Sequence, residues 1–312
     1  MSTNTSDGGI DFALYRYTPS IPAAVVFAAI FLIVTILHGI QLWRYRTYFF
    51  VPFIIGLLFE CAGYIARIFS HFDTKALGPY IVQTMLILVA PPLFAASIYM
   101  TLGRVIVALN CHQYSVVPVR FLTKIFVVGD VISFLLQCGG MCRFYDALFI
   151  DTNFVPGGGY MAAGSLSAMN IGANIVIGGL AIQLLFFGFF VIVSAVFHWR
   201  VKRNSRNISH CLEHSKKWEP IMWALYAACF LILVRSIFRV AEFVEGNDGF
   251  IMRREYLLYI FDACLMALSG IVLVVIYPGS FLGRNGNKRD SELQLMSTDE
   301  GYRPQRSKDY EA

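Results

Sequence analysis

Seven stretches of this chain are each long and apolar enough to cross a lipid bilayer. They run approximately Pro22 to Trp43, Tyr48 to Ser70, Pro79 to Leu109, Phe121 to Phe144, Asn170 to Phe197, Glu219 to Phe243 and Tyr256 to Leu282. Crossing ~30 Å of hydrocarbon at ~1.5 Å per residue needs about 20 residues, so each run suffices as one helix. Backbone polar groups have no water to bond there, and a helix satisfies them internally. The fold class expected is therefore all-α, a bundle of seven transmembrane helices. Composition agrees: 57% of the 312 residues are hydrophobic and only 14% are charged, outside the range of soluble domains. The first run is too long for a signal-peptide core and no basic leader precedes it, so it is expected to stay as a helix.

Lys and Arg in the connections set the orientation. The segments after the first, third, fifth and seventh runs carry fifteen, including Arg44, Arg46, Arg120, Arg200, Lys202, Arg203, Lys216 and Lys217. The N-terminal segment and the even-numbered connections carry four, Arg16, Lys75, Arg253 and Arg254. The N-terminus is expected outside and the C-terminus in the cytosol, which makes Asn4 of an N-x-S sequon a candidate glycosylation site. The +5 formal charge then faces anionic headgroups and gives no reason to expect nucleic acid. The domain reading is an extracellular segment 1–20, a transmembrane domain 21–282 and a disordered cytosolic tail 283–312. The 145–169 connection, with PGGGY at Pro156 to Tyr160, reads as a surface loop. The small residues Ala168, Gly172, Ala173, Gly178 and Gly179 favour close helix approach.

Charges inside apolar runs are costly, roughly 2.5–3.5 kcal/mol each at mid-bilayer, and need partners or water. Glu60, Asp130 and Gln183 are expected near the midplane. Arg67, Gln83, Gln137, Arg235, Arg239, Glu242 and Asp262 are expected in the outer half. Glu60 and Arg67 are seven apart, as are Asp130 and Gln137, and Arg235, Arg239 and Glu242 fall at i, i+4 and i+7, so each set shares a helix face. Four acids (Glu60, Asp130, Glu242, Asp262) against three arginines predict a nearly compensated polar chamber, whose members are candidates for substrate binding or proton exchange. Fixing helix register is the competing role for the arginines. Pro91 and Pro92 predict a kink in the third run. Arg104 is expected to snorkel to headgroups, and His38 reads as a structural histidine.

Enzymatic readings find little support. There is no G-x-x-x-x-G-K-[ST] for a phosphate loop, and only His38 among six histidines lies well inside a run, too few for zinc. The seventh run has no lysine for a Schiff base, and no embedded histidine stands beside a serine for triad chemistry. Neither an enzyme nor a cofactor is expected.

Several strings, in order, resemble the fungal RTA-like proteins, the lipid-translocating exporter family. They are YRYTPS from Tyr15, FECAGYIAR from Phe59, YIVQ from Tyr80, APPLFAASIYMTLGR from Ala90, GDVISFLLQCGG from Gly129, GLAIQLLFFGFF from Gly179, RSIFRVAE from Arg235, EYLLYIFDACLM from Glu255 and YPG ending at Gly279. The resemblance adds Glu255 to the motif positions, and it departs at Tyr277, where histidine is common in relatives. It implies a seven-helix membrane protein linked to resistance against toxic amphiphiles, release of sphingoid long-chain bases and, in one branch, porphyrin uptake. The expected function is a transporter or facilitator of a lipid or amphiphile such as a sphingoid long-chain base. Its partners would be membrane lipids or amphiphilic small molecules, and its location the plasma membrane or, alternatively, the vacuole or another endomembrane. A seven-helix receptor or stress sensor is the alternative, weakened because TLGR lacks an acid before Arg104 and the seventh run lacks N-P-x-x-Y.

Overall fold

The computed structural model describes residues 20–72, 77–109, 117–152, 159–203, 218–245, 249–250 and 254–280. Side chains at 119–120, 142–152 and 159–170 are not described. Asn4, most of the N-terminal segment, the basic 204–217 stretch and the tail from 281 lie outside the described residues.

The described chain forms seven membrane-length helices and contains no strand. They are α1 Ile21–Tyr45, α2 Val51–Phe72, α3 Leu77–Ala108, α4 Val119–Thr152, α5 Gly159–Arg203, α6 Trp218–Glu245 and α7 Glu255–Val275. A 3-10 turn, Tyr48–Phe50, leads into α2. Proline at the start of α1 suits a first turn whose N–H groups have no helical partner. Arg46, in left-handed conformation, ends that helix by donating its N–H to the Leu42 carbonyl.

Three helix ends differ from the sequence expectation. α7 stops at Val275 although apolar residues continue to Leu282, because the chain turns before Pro278, which cannot extend a helix. α4 continues to Thr152 and α5 begins at Gly159, so the segment read as a loop from 145 to 169 is helical except at 153–158, which is not described. Glycines in PGGGY suggested a turn there, yet Gly159 and Tyr160 open a helix.

Each helix packs mainly on its chain neighbours, and α7 returns to α1, while α3 also touches α5 and α6. The bundle's surface and interior are inverted relative to a soluble protein. Val26, Ile33, Ile36 and Ile40 of α1 and Leu185, Phe189 and Ile192 of α5 are exposed, whereas Arg67 and Arg235 are among the largest fully buried side chains. Lipid explains both halves of that pattern.

Small residues allow the helices to close. A Cβ on Gly56 would lie 2.7 Å from the Phe94 ring, and one on Gly63 would lie 2.7 Å from the Ile87 side chain. Glu60 falls between these two glycines, on the face of α2 that meets α3. In the α4–α5 pair a Cβ on Gly179 would come within 2.9 Å of the Ser133 carbonyl, whereas Gly178 faces open space, so only part of the small-residue run serves the contact. Elsewhere the core is aromatic, with Phe53 stacked on Phe94 at 4.1 Å and Tyr99 against Phe190 at 4.4 Å.

Candidate functional site

Asp262 sits at the centre of a buried ionic cluster. It lies in a π-helical segment of α7, Tyr259–Cys264, a wider turn often found at functional positions. This segment buries Tyr259 and Asp262 while Ile260 and Phe261 stay exposed. Arg235 Nε donates to Asp262 Oδ1 at 2.6 Å, and Arg239 donates to both oxygens, at 3.1 Å to Oδ1 and 2.5 Å to Oδ2. Arg239 also bonds Glu242 Oε2 at 2.9 Å. Spacing of i, i+4 and i+7 on α6 thus aims all three side chains inward, as the sequence predicts.

A further donor of Arg235 accounts for one of the two prolines of α3. Pro91 has no N–H, so the carbonyl four residues before it, that of Ile87, loses its helical partner. Arg235 NH2 donates to that Ile87 carbonyl at 2.7 Å. Pro91 therefore makes an acceptor inside the membrane, and the arginine occupies it.

A second ion pair extends the cluster towards the end of the bundle where α1 begins. Arg67 NH2 donates to Glu255 Oε1 at 3.0 Å, and its Nε donates to the Tyr259 hydroxyl, also at 3.0 Å. Ser20 ties the start of α1 to the same carboxylate through its amide, at 2.8 Å. Phe27 of α1 stacks on Tyr259 at 5.5 Å, and Phe31 stacks on Tyr64 at 5.6 Å. Tyr64 lies within the electrostatic reach of Glu60, Asp262, Arg67 and Arg239, and so joins the two ion pairs.

Glu60 is the exception. It is fully buried beside Asp262, Arg235 and Arg239, yet neither of its oxygens accepts a hydrogen bond, and the nearby Tyr64 hydroxyl is also without a partner. Three arginines already face three acids, Asp262, Glu242 and Glu255. The fourth acid is left over. A buried carboxyl without donors is costly whether or not it is ionised, which makes it the atom group in this layer most receptive to an incoming cation or proton.

The structure divides the polar layer expected from the sequence. Glu60, Arg67, Arg235, Arg239, Glu242 and Asp262 come together, and Gln83 is buried on α3 with its carbonyl 3.6 Å from the position of a Gly63 Cβ. Gln137 and Gln183 form a separate pair, Nε2 donating to Oε1 at 2.8 Å between α4 and α5. Asp130 stands in neither group. Its neighbour is Tyr99 of α3, and no ion pair among the described residues includes it.

Two other expectations meet specific surroundings. His38 is buried, with Nε2 in a 3.1 Å hydrogen bond to the Gly270 carbonyl and its ring stacked near Phe50, a structural setting. The guanidinium of Arg104 lies 4.4 Å from the centre of the Phe49 ring. Tyr64, Tyr259 and the Ile87 carbonyl were absent from the sequence-predicted site. Helical spacing marked the tyrosines, since Tyr64 follows Glu60 by four and Tyr259 follows Glu255 by four.

Comparisons with known proteins converge on one family. The family described as "RTA1 like protein" matches residues 53–285, which contain the whole α2–α7 part of the cluster. Protein RTM1 of Saccharomyces cerevisiae is 36% identical over 91% of this chain and 96% of its own length. Protoporphyrin uptake protein 1 of the same species is 35% identical over 90% of this chain and 95% of its own. The sphingoid long-chain base transporter RSB1 of Saccharomyces cerevisiae is 26% identical over 86% of this chain and 74% of its own. No solved structure matches. With seven membrane-length helices, a buried motif-bearing cluster and relatives matched over most of their length, the chain belongs to the RTA1-like family of membrane proteins.

Proposed function

We propose that the protein moves a lipid or other amphiphile across or out of the membrane, with a sphingoid long-chain base or similar cationic amphiphile as the substrate class. One observation carries this reading: Glu60 is a buried acid beyond those that the three arginines hold, and neither of its oxygens has a donor. A protonated amine brings three N–H donors and one positive charge. Glu60 Oε1, Glu60 Oε2 and the Tyr64 hydroxyl oxygen are three unpartnered acceptors in one place, and the alkyl tail can stay in lipid. Asp262, Glu242 and Glu255 hold the arginines and keep the site's net charge in balance. The relative named as a sphingoid long-chain base transporter supports this class.

The N-terminus lies outside and the tail in the cytosol, so the ionic cluster opens towards the outer leaflet, and the plasma membrane is the location that fits release from the cell. Resistance to toxic amphiphiles follows from such release. The test is purified protein in liposomes with a dye-labelled sphingoid long-chain base, protein-free vesicles being subtracted. Protein-dependent movement that Glu60→Gln reduces is the expected result, and no protein-dependent movement of that base or of labelled phospholipid sinks the reading. A receptor remains the outcome if movement is absent while a cytosolic partner binds through 204–217.

A further inference from the structure

Asp130 is buried at 3% exposure on α4, and no cation among the described residues pairs with it. From α3 it faces Tyr99, itself fully buried; from α6 the nearest titratable group on this side is the Cys229 thiol, beside Tyr99. Around Tyr99 the wall is aromatic: Phe187 and Phe190 of α5 lie 6.1 and 4.4 Å from its ring, and Phe186 closes over Gly129, the residue before Asp130. Phe126 of α4 completes the wall at 5.4 Å from Tyr99. The Tyr99 hydroxyl faces the Asp130 carboxyl at close range, and neither side chain has a geometrically complete hydrogen bond.

An ionised carboxylate buried beside a single hydroxyl and no cation is costly, so charging Asp130 calls for water or a partner to reach it. Ionisation needs water, and water needs the helices to part. The ionic cluster supplies a means for that. Ile87, bonded to Arg235, and Tyr99 are twelve residues apart on α3, about 18 Å at ~1.5 Å per residue, and Pro91 and Pro92 break the helix's hydrogen bonding between them. α6 likewise carries Cys229 near Tyr99 and Arg235 in the cluster. A head group that displaces the Arg235 bond to Ile87 therefore frees α3 at the Pro91–Pro92 break, about 12 Å along α3 from Tyr99, while on α6 Arg235 lies about 9 Å along the helix from Cys229.

We propose that Asp130 and Tyr99 form a proton-binding site, distinct from the ionic cluster and coupled to it through the Pro91–Pro92 break, so that transport is driven by a proton gradient. This rests on the transport reading above. In each cycle one proton passes from water to an Asp130 oxygen and from there to water on the other side, with no other reactant.

The experiment uses the full chain in liposomes and the same labelled long-chain base, comparing accumulation under an imposed pH gradient with exchange at equal pH. A one-unit gradient coupled to one proton permits about tenfold accumulation. Wild-type protein is expected to accumulate the base several-fold above its exchange level, and Asp130→Asn to bring that ratio to one. Gradient-driven accumulation by Asp130→Asn equal to wild type overturns the proposal. So does exchange by wild type that ignores the gradient, although the transport reading then stands; no movement in either arm removes both. If Asp130→Asn is not monodisperse, Tyr99→Phe takes its place, with a displaced pH profile of accumulation expected and an unchanged profile counting against the coupling. Infrared difference spectra give a second readout: a protonated-carboxyl band that vanishes in Asp130→Asn supports the site, and an unaltered band refutes it.

Discussion

Two buried regions of one bundle treat their polar groups in opposite ways. Where α2, α3, α6 and α7 meet, charges are close and, Glu60 apart, saturated: both oxygens of Asp262 are held by arginines, and even a backbone carbonyl has been freed to receive Arg235. Where α3, α4 and α5 meet, polar groups are sparse, a neutral Gln137–Gln183 pair and an acid without a cation. The first arrangement resists change, because any lost partner strands a charge in a dry interior. The second can change protonation without breaking an ion pair. One family fold thus contains a rigid ionic frame and a soft polar wall, and substitutions can separate them.

The largest effect is expected from Asp262→Ala, which takes the carboxylate from Arg235 and one of the two carboxylates that hold Arg239. Removing one partner of a buried pair costs about 3–5 kcal/mol, so loss of the monodisperse peak in size-exclusion chromatography, or a sharply lower melting midpoint, is expected. Normal stability would show that the frame is wetter than its burial implies. Glu60→Gln breaks no ion pair, and its melting midpoint should stay near wild type while movement of labelled base falls roughly tenfold, the equivalent of ~1.4 kcal/mol of lost head-group binding. A parallel fall in stability would place Glu60 in the frame instead. Gln183→Leu leaves Gln137 with an unmatched amide in the soft wall. Hydrogen bonds between membrane helices average about 0.6 kcal/mol with ~1.7 at most, so a small loss is expected, recovered in the Gln137→Leu/Gln183→Leu double variant. Smallest of all should be the stability change in Asp130→Asn, within about 1 kcal/mol, since no charge loses a partner. A loss comparable to Asp262→Ala would erase the contrast between the two regions.

The sequence made the fold legible because crossing lipid imposes one requirement, a long apolar run, that each of the seven helices states locally. The cluster was legible in membership more than in pairing. Charge counting rightly drew Glu60, Arg67, Arg235, Arg239, Glu242 and Asp262 into one layer, but it also enlisted Asp130, where the structure uses Glu255 as the third acid paired with arginine. The Arg235 acceptor was missed for a different reason: a kink was expected at Pro91, but the carbonyl it liberates belongs to a residue whose side chain says nothing. Tyr64 and Tyr259 were hidden because tyrosine in a membrane sequence is usually an interfacial residue.

That liberated carbonyl has a consequence for anyone scanning the chain by mutation. The contact from Arg235 ends on main-chain oxygen, so replacing Ile87 leaves the contact's acceptor in place, and what a residue-by-residue survey reads at that position is the packing of its side chain beside Gly63 and not the grip of the arginine. The grip of α6 on α3 is encoded four residues further on, in a proline that touches no charge.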